Sequence, residues 1–258
     1  TDETPEMLQT TSWPMDVTVR RLKRNTGGAG GFSFGIEAAF AQGYDAFWIM
    51  DDDTVPTPTA LAELERGMHR FEQRSGSLPS FACSMVVFPD GEVCEMNIPT
   101  PTWDWTRDMV HDEDYTLVNS CSFVSCLITA EAVRECGLPY REYFIWFDDV
   151  EYTLRLSRFH PGIFVPASRV HHLLPANRGV NFGDVNEKNL WKFQYGVRNQ
   201  ISAAFSLRSP GLAISLAGTM LKQLRGSDVS HKLRMKLLQS AAKGLIFHPK
   251  KRFARRIQ

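Results

Sequence analysis

The chain has 258 residues, of which 43% are hydrophobic and 22% charged, so it is long and apolar enough for one large domain, or for one domain with a terminal appendage. Its 29 basic and 29 acidic residues balance, but residues 222–258 carry eleven of the bases and a single acid, which predicts contact with an anionic surface. No run of about 18 apolar residues occurs, which excludes a membrane-spanning helix and indicates a soluble or peripheral protein.

The five cysteines are odd in number and lack Cys-x-x-Cys spacing. This pattern excludes a disulfide framework and argues against a zinc site. We expect reduced, mostly buried thiols in a cytosolic protein.

The first part of the chain predicts a strand, a glycine-rich turn, a helix and a second strand. Alternating β-branched residues predict the first strand over residues 17–22, and the glycines from Gly27 to Gly31 predict a turn that opens a helix ending near Gly43. This order is a βαβ unit, which implies a right-handed parallel crossover. The glycines leave backbone N–H groups open to a ligand, although a plain strand-to-helix turn has the same composition.

Three consecutive carboxylates, Asp51, Asp52 and Asp53, follow the apolar run Ala46–Met50. An unbroken apolar run predicts a strand buried on both faces, as in parallel sheets covered by helices. Ligands gather beyond the carboxyl ends of such strands, and adjacent carboxylates stay ionised together only near positive charge or in open water. The motif therefore indicates either a site for a divalent cation and phosphates or a solvated acidic turn.

The middle of the chain alternates predicted helices and strands with one irregular region. Helices are predicted over residues 57–72 and 129–137, strands over residues 81–88 and 122–128, and a long loop or short strands over residues 96–118. Trp103 and Trp105 in the irregular region indicate either sugar stacking or local packing.

A second acidic cluster follows the aromatic run at residues 143–147. Asp148 and Asp149 stand where a helix is predicted to begin. An acid at a helix N-terminus is stabilised by the helix dipole, so capping is an alternative to catalysis for this pair.

Two adjacent histidines, His171 and His172, lie in a predicted strand that follows another strand at residues 162–166. Successive side chains of a strand point to opposite faces, so only one of the two can face a given site. In a chain with two acidic clusters that histidine is a candidate metal ligand, and a structural role is the alternative.

After a predicted helix over residues 187–206, the C-terminal segment sets apolar residues such as Leu238 and Ile246 among lysines and arginines. This composition favours a helix that lies on an anionic membrane. The alternative is a helical bundle packed on the main domain with a solvated basic face. No motif for reading nucleic acid is present.

Together these motifs resemble the inverting glycosyltransferases of family 2, which have the GT-A fold. The likeness is greatest to the galactofuranosyl- and rhamnosyltransferase-like branch that builds bacterial cell-surface glycans. The matching segments keep the family's order within residues 1–200, and they are Asn25–Phe32, Gly43–Asp45, Trp48–Asp53, Tyr143–Arg155, His171–His172 and Tyr195–Asn199.

The resemblance implies an α/β fold of GT-A type, with a Rossmann-like, mostly parallel central sheet flanked by helices. Residues 1–200 would form the glycosyltransferase domain, and residues 201–258 a basic helical tail, for which the charge argument above favours membrane association. The family's first elements of the nucleotide-binding sheet have no counterpart in this sequence, so we expect the first strands to be missing.

The resemblance also implies a metal-dependent site. Asp51 and Asp53 correspond to the family's metal-binding motif, and the family's later histidine ligand corresponds to His172, with His171 as the less favoured choice. The expected ion is Mn²⁺ or Mg²⁺, which offsets charge on the departing nucleotide.

The remaining site residues are assigned by the same resemblance. Asp149 corresponds to the general base that takes the proton of an acceptor hydroxyl. Asp148 would orient the acceptor, and Trp146 would offer an apolar face to a sugar ring. The donor-binding positions are Asn25, Gly27, Gly28 and Asp52.

The implied activity is transfer of galactofuranose or rhamnose from a nucleotide-diphosphate donor, UDP-galactofuranose or dTDP-rhamnose, to a hydroxyl of a cell-surface glycan or lipid-linked acceptor. One alternative is a nucleotidyltransferase acting on sugar phosphates, although the sequence lacks the basic glycine-rich loop of such enzymes. The other is a non-catalytic, truncated binding module. We expect a cytoplasmic protein, peripheral on the inner face of the cell membrane, without a nucleic-acid partner.

Overall fold

The computed structural model describes residues 3–111 and 114–255, which form a seven-stranded sheet flanked by helices. The helices are α1 (Thr4–Thr10), α2 (Gly27–Ala41), α3 (Ala60–Ser75), α4 (Ala130–Cys136), α5 (Asp148–Leu156), α6 (Leu190–Ser206), α7 (Pro210–Arg225) and α8 (His231–Gly244). The strands are β1 (Ala46–Ile49), β2 (Thr54–Pro56), β3 (Phe81–Val87), β4 (Thr100–Pro101), β5 (Thr116–Ser120), β6 (Cys126–Thr129) and β7 (Gly162–His172). The predicted α/β class is confirmed.

The sheet has the strand order β1-β6-β3-β7-β5-β4, and β2 also pairs with β7. Within the described residues β3 and β7 form the one parallel pair, and the other five pairings are antiparallel. The prediction of a mostly parallel sheet is therefore wrong. A strand covered on both faces reads as an apolar run in either direction, so the sequence of β3 or β6 carries no sign of its partner's orientation.

Helices cover both faces of this sheet. Phe81 and Cys83 of β3 point to one face, where they pack in a core with α2, α4 and α5, while Ala82 points to the other face and packs under α3. Leu64 and Met68 of α3 fill that second core. This two-sided cover explains why the central strands lack polar alternation.

The predicted βαβ unit at the N-terminus is also corrected. Residues 17–22 form no strand, and both Val17 and Val19 are exposed. The glycine run lies inside α2, which begins at Gly27. Strand β1 follows α2 as predicted, but it pairs with β6 alone among the described strands and leaves its other edge open.

Several other elements stand where the sequence places them. Helix α3, strand β3 and helix α6 match their predicted ranges within a few residues, and Thr129 caps α4 by accepting a hydrogen bond from the backbone N–H of Ala132. The two strands predicted at residues 162–166 and 169–173 are one strand, β7, whose register against β3 shifts between Ser84 and Met85.

Helices α6, α7 and α8 share a third apolar core, which includes Phe193, Leu224 and Leu237. The predicted domain boundary at residue 200 falls inside α6. Beyond α8 the chain returns to the sheet domain. There the carbonyl of Arg252 accepts a hydrogen bond from the N–H of Leu138, and the guanidinium of Arg252 contacts Glu37. Across residues 3–111 and 114–255, no helix combines the length and the hydropathy needed to cross a membrane.

All five cysteines are buried, free thiols, as the sequence predicts. Burial raises the pKa of every one of them, most strongly for Cys83 and Cys121. Cys121 lies within hydrogen-bonding reach of both Cys83 and Cys126 on the face of the sheet beneath α2.

Candidate active site

Two carboxylates and one imidazole meet at the C-terminal end of β1. A ligand atom from each of Asp51, Asp53 and His172 lies within 4.8 Å of the other two. His172 Nε2 is 3.1 Å from Asp53 Oδ1. Strands β2 and β7 bring these residues together. Thr54, the residue after Asp53, pairs with His172 in the antiparallel ladder between them.

The imidazole of His172 is held by a second residue. Its Nδ1 is 2.9 Å from Asn97 Oδ1, and Asn97 Nδ2 donates to Ser122 Oγ at 2.9 Å, which orients the amide with its oxygen toward the histidine. Nδ1–H therefore donates to Asn97, and Nε2 is the ring nitrogen that faces the aspartates and would ligate a metal ion. Asn97 has no motif in the sequence, so pattern analysis missed it.

The adjacent histidines of β7 face opposite sides, as the strand period requires. His172 is buried beside Asp53, whereas His171 pairs with Val55 in the ladder and is half-buried. The geometry brings His172 to the aspartates and leaves His171 outside the cluster.

This donor set suits a hard divalent ion. Carboxylate oxygens with one imidazole nitrogen are ligands that Mn²⁺ and Mg²⁺ accept, and three protein ligands leave positions for phosphate oxygens. Burial and the charge of Asp53 raise the pKa of Asp51, while His172 lowers it. The ionised forms of two acids this close repel each other unless a counter-charge is present, and a bound cation supplies one.

Asp148 and Asp149 form the first turn of α5. Asp149 Oδ1 accepts a hydrogen bond of 2.7 Å from the N–H of Val150, and the Asp149 carbonyl accepts one of 2.7 Å from Thr153 Oγ1. Burial raises the pKa of Asp149 to about 6, and burial with the neighbouring charge of Asp149 raises that of Asp148 well above its ordinary value.

The two acidic clusters interact electrostatically. The negative charge of Asp51 contributes to the raised pKa of both Asp148 and Asp149, so the start of α5 lies within electrostatic reach of the end of β1. A carboxylate with its pKa near 6 is ionised at neutral pH and still basic enough to accept a proton.

The glycine-rich start of α2 lies against the segment that leads into α5. Asn25 Oδ1 accepts from Gly27 N–H at 2.9 Å, and Ala29 N–H donates to the Phe144 carbonyl at 3.2 Å. Gly27 has φ +67°, and a Cβ there would lie 2.0 Å from the Phe144 carbonyl oxygen. Only glycine fits this approach, and Gly28 beside it is exposed.

Trp146 is half-buried and packs mainly against α6. Its ring meets Phe193 edge-on at 5.0 Å, and a Cβ on Gly196 would lie 3.0 Å from it. Beside it, Tyr195 stacks on Phe144 with centroids 5.0 Å apart, and Trp191 keeps 44% of its surface exposed. Sequence analysis gave Trp191 no role, although it stands four residues before Tyr195 on the same helix face.

Two cavities lie away from these acids. One, of about 640 Å³, is formed by residues 181–187 and the α7–α8 connection, and the other, of about 300 Å³, lies beside Arg155 and Lys251. Neither is lined by the acidic clusters. The candidate active site is therefore identified by the chemistry of its acidic groups and not by either cavity.

Comparison with known proteins finds similarity to glycosyltransferases. Residues 1–75 match the family model described as Glycosyl transferase family 2. A stretch of 61 residues is 39% identical to the galactofuranosyltransferase GlfT1 of Mycolicibacterium smegmatis, covering 23% of this chain and 20% of that relative. The match thus spans about a fifth of the relative's length. These matches confirm the resemblance to family 2.

The fold has a solved counterpart. The crystal structure of GalNAc-T7 with UDP, GalNAc and Mn²⁺ superposes with a TM-score of 0.50 and 14% sequence identity, over 72% of this chain and 36% of that one. At this identity the likeness concerns the fold alone. The predicted GT-A architecture is thereby confirmed.

Proposed function

We propose, on the premise that residues 1–75 make this chain a relative of the family 2 glycosyltransferases, that the intact protein transfers a sugar from a nucleotide-diphosphate donor to a hydroxyl group with inversion. The carrying observation is the convergence of Asp51, Asp53 and His172, with Asp149 within electrostatic reach. The cluster of Asp51, Asp53 and His172 suits a cation and a diphosphate, and Asp149 suits proton transfer.

In this proposal the reaction is a single displacement. Asp149 accepts the proton of the acceptor hydroxyl while that oxygen bonds to the anomeric carbon and the carbon–oxygen bond to the diphosphate breaks. Asp148, the neighbouring carboxyl at the start of α5, orients the acceptor hydroxyl through a hydrogen bond. Trp146 offers the part of its ring that Phe193 leaves uncovered to the acceptor sugar.

The donor occupies the space between β1 and the start of α2. Asp51, Asp53 and His172 would hold Mn²⁺ or Mg²⁺, which when bound neutralises charge on the diphosphate. The N–H groups of Gly27 and Ala29 are engaged within the protein, so the exposed Gly28 and the positive end of the α2 dipole would favour an anion there. The donor-binding residues in this proposal are Asn25, Gly27, Gly28 and Asp52.

Galactofuranose or rhamnose is the proposed sugar, carried by UDP or dTDP, and a cell-surface glycan or lipid-linked saccharide the proposed acceptor. The similarity to a galactofuranosyltransferase supports the first of the two sugars. Residues 1–200 would carry the reaction, and residues 201–258 would attach the protein to the cytoplasmic face of the membrane.

A product assay tests the activity. The protein, expressed with any segments that precede or follow this chain, is incubated with each nucleotide sugar and with acceptor, with and without Mn²⁺, and the released nucleotide is identified by chromatography. We expect nucleoside diphosphate, released only with metal and acceptor. Pyrophosphate as product would instead indicate a nucleotidyltransferase, and failure to bind any nucleotide sugar would indicate a non-catalytic binding module.

The surface of α8 supports the proposed membrane contact. Leu233 and Leu237 pack on α6, while Met235, Leu238 and Ile246 point outward and remain 42%, 43% and 82% exposed. No acidic residue follows Asp228 in the sequence. The outward surface of α8 and of the residues just after it combines apolar side chains with an excess of positive charge, as an anionic lipid surface requires.

Charge reversal on α8 tests that contact. The pair Lys232→Glu and Lys243→Glu should lower binding to phosphatidylglycerol vesicles about tenfold or more, since each basic residue near an anionic surface contributes about 1 kcal/mol. Cosedimentation measures it, with Arg66→Glu and Arg70→Glu on α3 as the charge-matched control. Equal loss in both pairs would contradict a specific α8 face, and wild-type binding that is independent of lipid charge would contradict the electrostatic contact.

A further inference from the structure

Residues 143–147, which we name the aromatic loop, lead directly into Asp148 with an unusual backbone. Phe144 has φ +67° and ψ −60°, and the N–H of Ile145 donates to the Tyr143 carbonyl at 2.8 Å, which makes this a γ-turn of the rare positive-φ form. Trp146 and Phe147 also have positive φ, of 63° and 68°. Bulky side chains avoid this region, so the surroundings must hold the loop in place.

A single buried amide holds most of the loop. Asn199 of α6 is fully buried, and its Nδ2 lies 2.9, 3.1 and 2.8 Å from the carbonyl oxygens of Tyr143, Ile145 and Trp146. Its two N–H groups are thus shared among three acceptors that flank the γ-turn. These carbonyls point into the protein because of the positive φ angles, and an acceptor-only side chain at this position would repel them.

Arg198 orients this amide. Its Nε and Nη2 donate to Asn199 Oδ1 at 3.1 and 2.8 Å, so the amide nitrogen faces the loop, and Nη2 also donates to the Glu142 carbonyl at 2.9 Å. The guanidinium lies 3.9 Å from the ring centroid of Phe247 and 4.7 Å from that of Tyr195. The arginine is therefore itself fixed by packing.

We propose that Asn199, oriented by Arg198, is the positioning residue that holds the aromatic loop and thereby fixes the carboxylates of Asp148 and Asp149 opposite the metal-ligand cluster. Asn199 touches no reacting group in the proposed site; it acts through the loop. The effect on transfer rests on the proposed function, whereas the hold on the loop does not.

The variant Asn199→Asp tests this role at constant size. It keeps the oxygen that Arg198 binds and removes both N–H donors from the three carbonyls. We expect amide hydrogen exchange in residues 143–150 to accelerate about tenfold or more, because a buried network loses its donor side. Exchange in β3 and α3 should stay unchanged, and kcat for sugar transfer should fall.

Ser80→Ala is the matched control, since Ser80 is equally buried and also bridges two backbone groups, Leu156 O and His160 N–H, away from the loop. It should leave exchange in residues 143–150 unchanged. Arg198→Lys, which keeps the charge and loses the fork of donors, should give a smaller acceleration confined to the same residues.

The outcomes separate the two proposals. Exchange that rises uniformly in Asn199→Asp, or stays unchanged in residues 143–150, overturns the hold on the loop, and local loosening with unchanged kcat overturns its role in positioning. If Asn199→Asp does not fold, Arg198→Lys decides by the same readout. If wild-type protein transfers no sugar, the proposed function fails, and hydrogen exchange alone then decides on the loop.

Discussion

Replacement of Asp149 by asparagine is expected to lower sugar transfer by about 10²- to 10⁴-fold, the range that a general base contributes. Asparagine keeps an oxygen that can accept the 2.7 Å hydrogen bond from Val150 N–H, so the start of α5 should keep its shape. It cannot take a proton from the acceptor hydroxyl. Single-turnover release of nucleotide measures the loss, and calorimetry with UDP and Mn²⁺ should show that donor-site binding persists.

Asp184→Asn, in the turn before α6 and away from both acidic clusters, is the control and should transfer at the wild-type rate. A rate for Asp149→Asn within about twofold of wild type would remove Asp149 from the role of base, since that difference is far below what a general base contributes.

The same carboxyl group sets an expected pH dependence. Burial raises the pKa of Asp149 to about 6, so transfer should rise with pH through that value and level off above it, because only the ionised form accepts a proton. The charge of Asp51 contributes to the raised pKa. A bound cation offsets that charge, so the midpoint should move to lower pH as metal saturates.

The free energy of unfolding should fall as pH rises over this range, whereas transfer rises. Between the ordinary pKa of aspartic acid, about 4, and the raised value of Asp149, the folded protein binds more protons than the unfolded chain, so these carboxyls contribute less stability as pH rises. Asp148 adds to this trend, because its pKa is raised too.

Removal of a metal ligand is the second change with a large expected effect. Asp53→Ala should weaken Mn²⁺ binding about tenfold or more and reduce the affinity for UDP to the level that wild-type protein shows without metal. The reason is geometric, since Asp53 shares the cluster with Asp51 and His172. Titration of Mn²⁺ alone, and then of UDP at fixed Mn²⁺, separates the two losses.

The adjacent histidines provide an internal control for that experiment. His172→Ala should weaken Mn²⁺ binding as Asp53→Ala does, and His171→Ala, one residue away on the opposite face, should not. Equal effects of the two histidine variants, or Mn²⁺ affinity unchanged by Asp53→Ala, would contradict the metal site.

Local chemistry made part of this site predictable from the sequence. The carboxylates after β1 and at the start of α5 lie at strand and helix ends, which periodicity locates, and the ordered motifs indicated the family. Sheet direction was not predictable in this way, because apolar strands lack a directional signal. Residues 17–22 have β-branched alternation but no neighbouring strand among the described residues, and tertiary pairing decides whether such a segment becomes a strand.

The supporting residues were harder to predict. Asn97 ends a short 3₁₀ helix that the sequence does not predict, and it meets His172 only through the fold. Asn199 belongs to a motif that the resemblance includes, but its partners are backbone carbonyls about 55 residues earlier. Single-sequence patterns report which face a residue occupies and not which distant carbonyl it binds. Such residues become visible when hydrogen bonds are counted in the folded chain.

The buried thiols give this protein a built-in reporter of opening. Alkylating reagents attack the thiolate, which burial suppresses at all five cysteines, so the closed chain should react slowly. Cys83 and Cys126 lie in neighbouring strands of the central sheet, whereas Cys136 ends α4 at the margin of the same core. The order in which mass spectrometry finds these positions modified would show which part of the fold separates first, with no engineered label.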